Sequence, residues 1–426
     1  MYATLRPIFS LLLGLFFLIV GHGLQQTLIP LRAEAEGWSA FQIGALGSAY
    51  YIGFVGGCIA TPFVILRSGH IRAFMVLAAL LAIAMIAHTL WVAFAPWFIL
   101  RVLLGASLAG LYMIIESWLN DRASNTNRGF IMSAYIMVNY AALAVGQFLM
   151  TLASPLDFTL FAVATIMMAL SVLPLALTRQ PQPAPVALVR FRLLALYRSS
   201  PVGLIGVFAA GLANGAYWSL GAVSAVGHGL SASDAALFMT ISTAAGAVAQ
   251  WPVGRFSDRI DRRLVLAALL AGAIVSGLLL AFLPLPGRGW FVLAVLYGFA
   301  IAPTYSIAAA HAYDHAQRGS MVEAAAGLFF ANAIGSIAGP LIASTMMQHF
   351  GPQMLFFYTA IVHVLLLAYI TYRLRIAAPA EAASKKDFAQ SAAVPGGAAI
   401  APEPLDPAHP DVATPSAAVE HPAAPA

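Results

Sequence analysis

Polar side chains recur within otherwise apolar stretches of this sequence, at spacings that place them on shared helix faces. His22, Gln25 and Gln26 lie three and four residues apart, so a single helix would present them together. Hydrogen-bonding side chains at membrane depth either join neighbouring helices or contact a bound solute. Because a second cluster occurs at the matching place in the second half, we expect both to face a central cavity. This second cluster consists of Asn214, Tyr217 and Trp218.

Arg101 is the one basic residue inside an apolar stretch. A charge at bilayer depth costs about 2.5 to 3.5 kcal/mol, so a buried arginine needs a reason to be there. Arg101 lies about 7 Å from the start of its predicted helix and shares a face with Tyr112. It could anchor an anionic solute or act as a relay partner. Alternatively, its side chain extends outward to the membrane surface.

Glu116 is the only carboxylate well inside an apolar stretch of the first half, one turn beyond Tyr112. Its position near the end of a helix favours a salt bridge to Arg67 or Arg72, with a structural or gating role. Proton coupling is the alternative, because a carboxylate can change its charge within the membrane. His22 is a second candidate for coupling, although it can also stay neutral and form hydrogen bonds only.

Further polar residues extend the predicted lining onto other helices. They are Asn139, Gln147, Thr243, Gln250, Tyr297 and Thr304. Each of them alone indicates packing more often than a binding site. Glu323 has a different explanation, because Ser320 three residues earlier completes a capping box at the start of a helix.

The composition explains why these polar residues stand out. Hydrophobic residues make up 61% of the chain and charged residues 9%, and the mean hydropathy is +0.87, which excludes a water-soluble domain. The apolar runs have the length of about 20 residues that a helix needs to cross a bilayer, where helices satisfy their own backbone hydrogen bonds. We therefore predict an all-α polytopic membrane protein with twelve transmembrane helices in two pseudo-symmetric six-helix bundles. The predicted helices are 8–30, 40–66, 72–95, 96–119, 129–152, 157–177, 201–226, 233–254, 263–284, 288–312, 320–346 and 353–373.

These helices divide the chain into four parts. Residues 1–177 form the first bundle and residues 201–375 the second. The segment 178–200 is a cytoplasmic linker, which could lie on the membrane as a basic amphipathic helix or serve as a plain tether. Residues 376–426 are rich in alanine and proline and lack an apolar period, so we expect a disordered cytoplasmic tail.

Basic residues set the orientation, because loops rich in lysine and arginine stay in the cytoplasm. With the N-terminus inside, eighteen of the twenty-one basic residues are cytoplasmic, Arg32 and Arg288 are outside, and Arg101 is within a helix. We therefore expect a multi-pass protein of the cell inner membrane with both termini in the cytoplasm. Its positive loops face anionic lipid, not nucleic acid.

Several chemistries lack the residues they need. The single cysteine, Cys58, has no partner for a disulfide or a CxxC site. The sequence contains no phosphate-binding P-loop, no HExxH motif and no Cys and His set with metal-ligand spacing. We expect no cofactor, no metal and no enzyme activity, since the extramembrane loops are too short for a catalytic site. We also expect a monomer.

The two halves repeat each other at an offset of about 193 residues. This offset aligns Gly105 with Gly298, Tyr112 with Tyr305, and Asp121 with Asp314. Residues 254–263 read GRFSDRIDRR, and an offset of 192 aligns them with the loop PFVILRSGHIR of the first half. The later segment resembles the GxxxDRxGRR loop signature of the major facilitator superfamily. Arg101 and Gly105 are similar to the RxxxG pattern of that family.

The resemblance covers residues 1 to about 375 and implies a twelve-helix secondary transporter. GLYMIIESWLND is similar to a subgroup of uncharacterised bacterial facilitators. Asp261 replaces the second glycine of the signature, and Leu66 stands at the acidic position of the first copy, so we expect only the second copy to keep a charge relay. Asp258 could form a latch with a helix N-terminus or a nearby arginine. The implied gating or relay residues are Gly254, Asp258, Arg259, Arg262 and Arg263, with Arg67 and Arg72 from the first copy.

These features together predict secondary active or facilitative transport of a small solute by alternating access, with protons as the candidate coupling ion. The expected partners are the solute, membrane lipids and, if transport is coupled, protons. The alternative is a membrane sensor or scaffold that keeps the fold without transport. A polar cavity between the first, fourth, seventh and tenth helices would favour transport, whereas a core of leucine and phenylalanine would favour a scaffold.

Overall fold

The computed structural model describes residues 8–122, 128–177, 193–284, 287–315 and 321–376. The predicted tail beyond Ile376, most of the predicted linker and Ser320 of the predicted capping box lie outside these ranges. The described part of the linker ends in a short helix, Leu193–Ser199. The described ranges contain helices and turns and no strand.

Long apolar runs become helices because a helix satisfies its own backbone hydrogen bonds in lipid. In the described ranges, twelve helices are long and apolar enough to cross a membrane, which confirms the predicted fold class. They are α1 (Phe9–Ala35), α2 (Ala40–Ser68), α3 (His70–Ala87), α4 (Phe94–Arg122), α5 (Arg128–Leu149), α6 (Phe158–Ala176), α7 (Pro201–Gly227), α8 (Ala232–Arg259), α9 (Arg262–Phe282), α10 (Gly287–Asp314), α11 (Met321–Phe350) and α12 (Met354–Ile376).

Local side chains determine where several helices begin and end. The Ser39 hydroxyl accepts a hydrogen bond from the Gln42 N–H, and the Gln42 side chain accepts one from the Ser39 N–H, so a capping box starts α2. The predicted third helix ran to residue 95, but α3 ends at Ala87. The hydroxyl and the N–H of Thr89 both donate to the Ile86 carbonyl there, which turns the chain out of the helix.

Two prolines affect the helices differently. α6 is interrupted at Ser171, where Phe158–Leu170 gives way to Val172–Ala176. Pro174 lacks the N–H that would bond to the carbonyl of Leu170, which breaks the helix at this point. The Ser171 hydroxyl also donates to the Met168 carbonyl at 2.6 Å. α1, in contrast, continues through Pro30 and ends five residues later than predicted.

Glycines at repeated positions let helices approach closely within each bundle. Gly53 of α2 and Gly105 of α4 each face the other helix, where a Cβ atom would collide with backbone. Gly246 of α8 and Gly298 of α10 make the equivalent crossing in the second half, at the 193-residue offset. Small residues permit such contact between membrane helices. The duplication inferred from the sequence therefore has a counterpart in the packing.

Helices α1–α6 form the N-terminal bundle and α7–α12 the C-terminal bundle. Between the bundles, α2 packs against α11, α5 against α8, and α1 against α7. We call the end that carries the turns after α1, α5, α7 and α11 the upper end, and the opposite end the lower end. In the predicted topology, the upper end is periplasmic and the lower end cytoplasmic.

The close crossing of α2 and α4 leads to a stability prediction. Gly53→Ala should lower the free energy of unfolding by about 1 to 3 kcal/mol, because the added methyl meets the backbone of α4. Gly56→Ala is the matched control, since a Cβ atom there meets nothing within 4 Å. Scanning fluorimetry of the purified variants in detergent measures the difference. Equal melting temperatures would contradict the close crossing.

Candidate substrate and gating sites

Arg101 of α4 points into the N-terminal bundle. Its Nη1 donates to Gln25 Oε1 at 3.0 Å, its Nε donates to the Leu46 carbonyl at 3.2 Å, and its guanidinium lies 4.9 Å from the centroid of the Tyr50 ring. Only 4% of the residue is exposed. The alternative in which Arg101 extends to the membrane surface is therefore wrong.

His22 completes the group around Arg101. The Nδ1 atom of its ring lies 3.0 Å from Gln25 Nε2, and the ring stacks on Tyr50 with centroids 5.8 Å apart. We call His22, Gln25, Tyr50 and Arg101 the Arg101 cluster. The sequence predicted three of these residues as candidates. Tyr50 was missed, because an aromatic residue in an apolar run reads as core.

The charge of Arg101 has no carboxylate beside it. Among the described residues, none of the carboxylates lies within ion-pair distance of its guanidinium. Glu116 lies fifteen residues further along α4, about 22 Å at 1.5 Å per residue. At an effective dielectric constant of about 20, two unit charges at that distance gain about 0.8 kcal/mol. This gain is smaller than the cost of about 2.5 to 3.5 kcal/mol for a charge at bilayer depth, so Glu116 does not compensate Arg101.

Two side-chain hydrogen bonds join α4 to α5 below the Arg101 cluster. The Tyr112 hydroxyl accepts from Asn139 Nδ2 at 3.2 Å, and Glu116 Oε1 accepts from the Tyr135 hydroxyl at 2.6 Å. The paired residues are four apart on both helices, which lets antiparallel helices form both bonds. That shared spacing is the signal by which Tyr135 could have been predicted together with Asn139.

Glu116 is deeply buried and does not form its predicted salt bridge. It is 1% exposed, and its Oε2 atom is buried without a hydrogen-bond partner. Arg67 and Arg72 are exposed side chains and do not pair with it. The prediction was wrong because the carboxylate faces α5, whereas both arginines point away from the bundle interior.

Aromatic rings fill the corresponding region of the C-terminal bundle. The ring of Tyr217 lies 5.1 Å from the ring of Tyr297, and both pack against Phe356. The Tyr297 hydroxyl donates to Thr359 Oγ1 at 2.9 Å, and the Thr304 hydroxyl donates to a carbonyl of its own helix at 2.6 Å. Tyr217, Tyr297 and Thr304 were predicted to line a cavity. Tyr297 and Thr304 instead form hydrogen bonds within their own bundle, and the hydroxyl of Tyr217 is buried without a hydrogen-bond partner.

Three other predicted residues belong to α1 and α7, two helices that pack against each other. Gln26, Asn214 and Trp218 are half-buried. The Oε1 atom of Gln26 and the Oδ1 atom of Asn214 are buried without hydrogen-bond partners. A buried acceptor without a donor is unfavourable, so both amides are suited to accept hydrogen bonds from a solute.

Hydrogen bonds join the two bundles from their middle to the upper end. They run from Ser48 to the Ile337 carbonyl (2.7 Å), from Thr243 to Gln147 (2.7 Å) and from Gln250 to Tyr140 (3.1 Å). The first two lie in the upper half and the third near the middle of the helices. Gln147, Thr243 and Gln250, which were predicted to line a cavity, therefore hold the bundles together.

An ionic network at the lower end centres on Arg262. Its Nε donates to Asp314 Oδ2 at 2.7 Å, and its Nη1 donates to Ser257 Oγ at 2.9 Å and to Asp258 Oδ1 at 3.1 Å. The side chains of Arg262 and Asp314 are 1% and 3% exposed, whereas that of Asp258 is 33% exposed. Asp258 thus pairs with a nearby arginine as predicted, but the buried partner is Asp314. Gly254 is buried in α8, and Arg259 is exposed.

Asp261, which replaces the second glycine of the loop signature, has two roles in the structure. Its carboxylate caps α9 by accepting from the Arg263 N–H at 2.9 Å, and it pairs with the Arg263 guanidinium at 2.7 Å. Burial raises the pKa of Asp261, but the hydrogen bonds and the charge of Arg263 outweigh burial and hold the pKa below its ordinary value. Residue 261 therefore starts a helix and neutralises a buried arginine.

The equivalent loop of the first half is arranged differently. Leu66, at the position that matches Asp258, is 59% exposed. His70, at the position that matches Arg262, is buried and lies 3.3 Å from the Ser117 hydroxyl. This loop therefore has a histidine in place of the arginine and a leucine in place of the acid. Among the described residues, no group of three His, Cys, Asp or Glu side chains could hold a metal ion.

Comparison with known proteins decides the family. A sequence profile described as Major Facilitator Superfamily matches residues 11–330 and 203–409. The chain belongs to the Major Facilitator Superfamily. This facilitator is accordingly a membrane transporter, as the loop signature and the twelve helices predicted.

Named relatives and solved structures agree with this assignment. Proteins called uncharacterized MFS-type transporter YcaD, from Escherichia fergusonii, Escherichia coli and Shigella flexneri, are 27% identical over 364 residues, or 85% of this facilitator and 94% of the relative. The structure of nucleoside transporter NupG shares the fold with a TM-score of 0.74 at 14% identity, covering 87% of this chain and 99% of that one. A bacterial homologue of the human lysosomal transporter Spinster, inward-facing and occupied, gives 0.72 at 14% identity over 90% and 98% of the two chains.

The lower-end network of this facilitator leads to a second stability prediction. Asp314→Asn should cost about 3 to 5 kcal/mol, because it leaves the buried Arg262 without its closest carboxylate. Asp258→Asn should cost about 1 kcal/mol or less, since that carboxylate is partly exposed. Melting temperatures of the two purified variants give the comparison. An equal loss in both would show that Asp314 is not the main partner.

Proposed function

We propose that this facilitator moves a small solute across the inner membrane by alternating access and couples the movement to protons through Glu116. Two bundles that rock about a central site expose it to one side of the membrane at a time. This proposal rests on where the hydrogen bonds between the two bundles lie. The Ser48 and Thr243 bonds close the upper half, so a solute would reach the centre from the lower end. In the predicted topology, this corresponds to an inward-facing arrangement.

The proposed solute site lies between the N-terminal bundle and α7. The Arg101 cluster supplies a cation and an imidazole, and Gln26 and Asn214 supply amide oxygens that lack partners. Trp218, half-buried on α7, supplies an apolar surface. A few convergent polar groups with an aromatic wall are typical of small-molecule sites.

Glu116 is proposed as the proton-binding group because its surroundings do not support a charge. Ionised, it would receive one hydrogen bond, from Tyr135, while its second oxygen stays buried without a donor. A hydrogen bond to a charged group contributes about 1.5 to 3 kcal/mol. Burying an unpaired carboxylate costs several kcal/mol and outweighs that gain. Glu116 therefore carries a proton in this arrangement, about 9 Å from the lower end of α4.

His22 is the weaker candidate for coupling. It shares Gln25 with Arg101, so its protonation would place a second positive charge in the same buried cluster. Like charges brought together at low dielectric disfavour ionisation. His22 is therefore proposed to stay neutral and to orient Gln25.

A transport assay tests the role of Glu116. Solutes are first identified by the rise in melting temperature that they cause in the purified protein. In proteoliposomes, an imposed proton gradient should drive accumulation by the wild type. Glu116→Gln should abolish accumulation but keep exchange of labelled for unlabelled solute, because exchange needs no net proton movement.

Glu323→Gln is the matched control, since glutamine also serves in a capping box at the start of α11. It should accumulate solute as the wild type does. Accumulation by Glu116→Gln would exclude Glu116 as the coupling group. Absence of both accumulation and exchange in the wild type would favour the sensor or scaffold alternative.

The orientation can be tested by labelling cysteines introduced into a Cys58→Ala background. Ser233→Cys at the upper end should react with a membrane-impermeant maleimide in intact cells, because this exposed residue is predicted to be periplasmic. Asp121→Cys at the lower end should react only after the inner membrane is disrupted. The reverse pattern would place both termini outside.

A further inference from the structure

The three buried arginines of the described chain differ in what neutralises them. Arg262 pairs with Asp314 and Asp258, and Arg263 pairs with Asp261. Arg101 instead donates to an amide oxygen and a backbone carbonyl and lies over the face of a tyrosine ring. All three of these contacts are with neutral groups. Arg101 is therefore the buried cation that still lacks an anion.

Arg101 lies beside the boundary between the two bundles. Its contacts on α2 are the Leu46 carbonyl and Tyr50. Two of the three residues between them, Gly47 and Ser48, face the C-terminal bundle. Gly47 packs against Ser219 of α7, and Ser48 donates to a carbonyl of α11. A single turn of α2 thus separates the guanidinium from the surface on which the bundles meet, where a transported solute binds.

We infer that the Arg101 cluster binds one organic monoanion, such as a monocarboxylate, as the transported solute of this facilitator. The inference deepens the proposed function and rests on it. The carboxylate of the solute takes the Nη1 donor that now bonds to Gln25 Oε1, because it carries a full negative charge and can accept two parallel N–H bonds from the guanidinium, whereas the amide oxygen is neutral. Gln25 then turns its amide toward the solute while it stays bonded to His22.

The arrangement favours a single negative charge on the solute. At the repeat offset, Arg101 corresponds to Ala294 of α10, a buried apolar residue. The matching region of the C-terminal bundle contains the aromatic rings of Tyr217 and Tyr297. Among the described residues, Arg101 is the one buried arginine in this region, so a dianion would leave a buried charge without a partner.

Probes that differ mainly in charge test this inference. Purified full-length protein is melted with benzoate, benzamide or benzamidine, and with acetate, acetamide or acetamidine. Benzoate or acetate should raise the melting temperature more than the neutral amide and the cationic amidine of the same series. Arg101→Gln should weaken the apparent affinity for that anion by about 30-fold or more. Anions that stabilise the wild type no better than the neutral probes overturn the inference.

Two further variants keep the test decisive if Arg101→Gln folds poorly. Gln25→Glu places a fixed carboxylate beside Arg101, so it should raise the melting temperature without ligand and remove the response to anions. Arg288→Gln removes an exposed arginine at the upper end and should leave the response to anions unchanged. An anion response that persists in Gln25→Glu, or that disappears in Arg288→Gln, overturns the inference.

The binding and transport tests can fail separately. Anion binding without proton-driven accumulation leaves the Arg101 site in place and contradicts the coupling role of Glu116. Accumulation of an uncharged solute, with no response to anions in melting, supports the transport proposal and excludes the anion site.

Discussion

Hydrocarbon neither solvates a charge nor donates a hydrogen bond, and the arrangement of the N-terminal bundle follows from that constraint. α4 places Arg101, Tyr112 and Glu116 along one face, and each must find its partner on a neighbouring helix. The partners come from α1, α2 and α5. These bonds fix how the helices are rotated about their axes, because a small rotation of α4 would leave several polar groups without partners.

The two halves share a scaffold and differ in what fills it. Both cross their second and fourth helices at paired glycines, and both place a tryptophan near the upper end of the fourth helix. Trp97 lies 5.0 Å from the His88 ring, and Trp290, at the repeat offset, lies 5.0 Å from the His228 ring. Below this level, the N-terminal bundle contains the hydrogen-bonded Arg101 cluster and Glu116, whereas the C-terminal bundle has the rings of Tyr217, Tyr297 and Phe356 in tilted and edge-to-face contact. The duplicated halves therefore differ in the side chains that fill them at this level.

α2 connects the polar site to the boundary between the bundles. Tyr50 of the Arg101 cluster lies 6.1 Å from the ring of Phe54, and Phe54 lies 6.1 Å from Phe329 of α11. One helix therefore contacts both the proposed solute site and the opposite bundle. If Tyr50 moved when a solute binds, Phe54 would transmit the movement to Phe329 at the boundary between the bundles. The lower end has a separate ionic network around Arg262, and the matching position of the first half holds His70, which lies 3.3 Å from the Ser117 hydroxyl.

The sequence by itself determined the twelve helices, the two halves and the buried ionisable residues Arg101 and Glu116. These features depend on the length of apolar runs and on the cost of a charge in lipid, which are properties of local composition. Only the tertiary structure decided the partners. Tyr50 contacts Arg101, Tyr135 donates to Glu116, and Tyr217 and Tyr297 pack against each other. Glu116 faces α5 and not Arg67 or Arg72. Such outcomes depend on which helices lie side by side and how each is rotated, and glycine crossings between segments about 50 residues apart set that geometry.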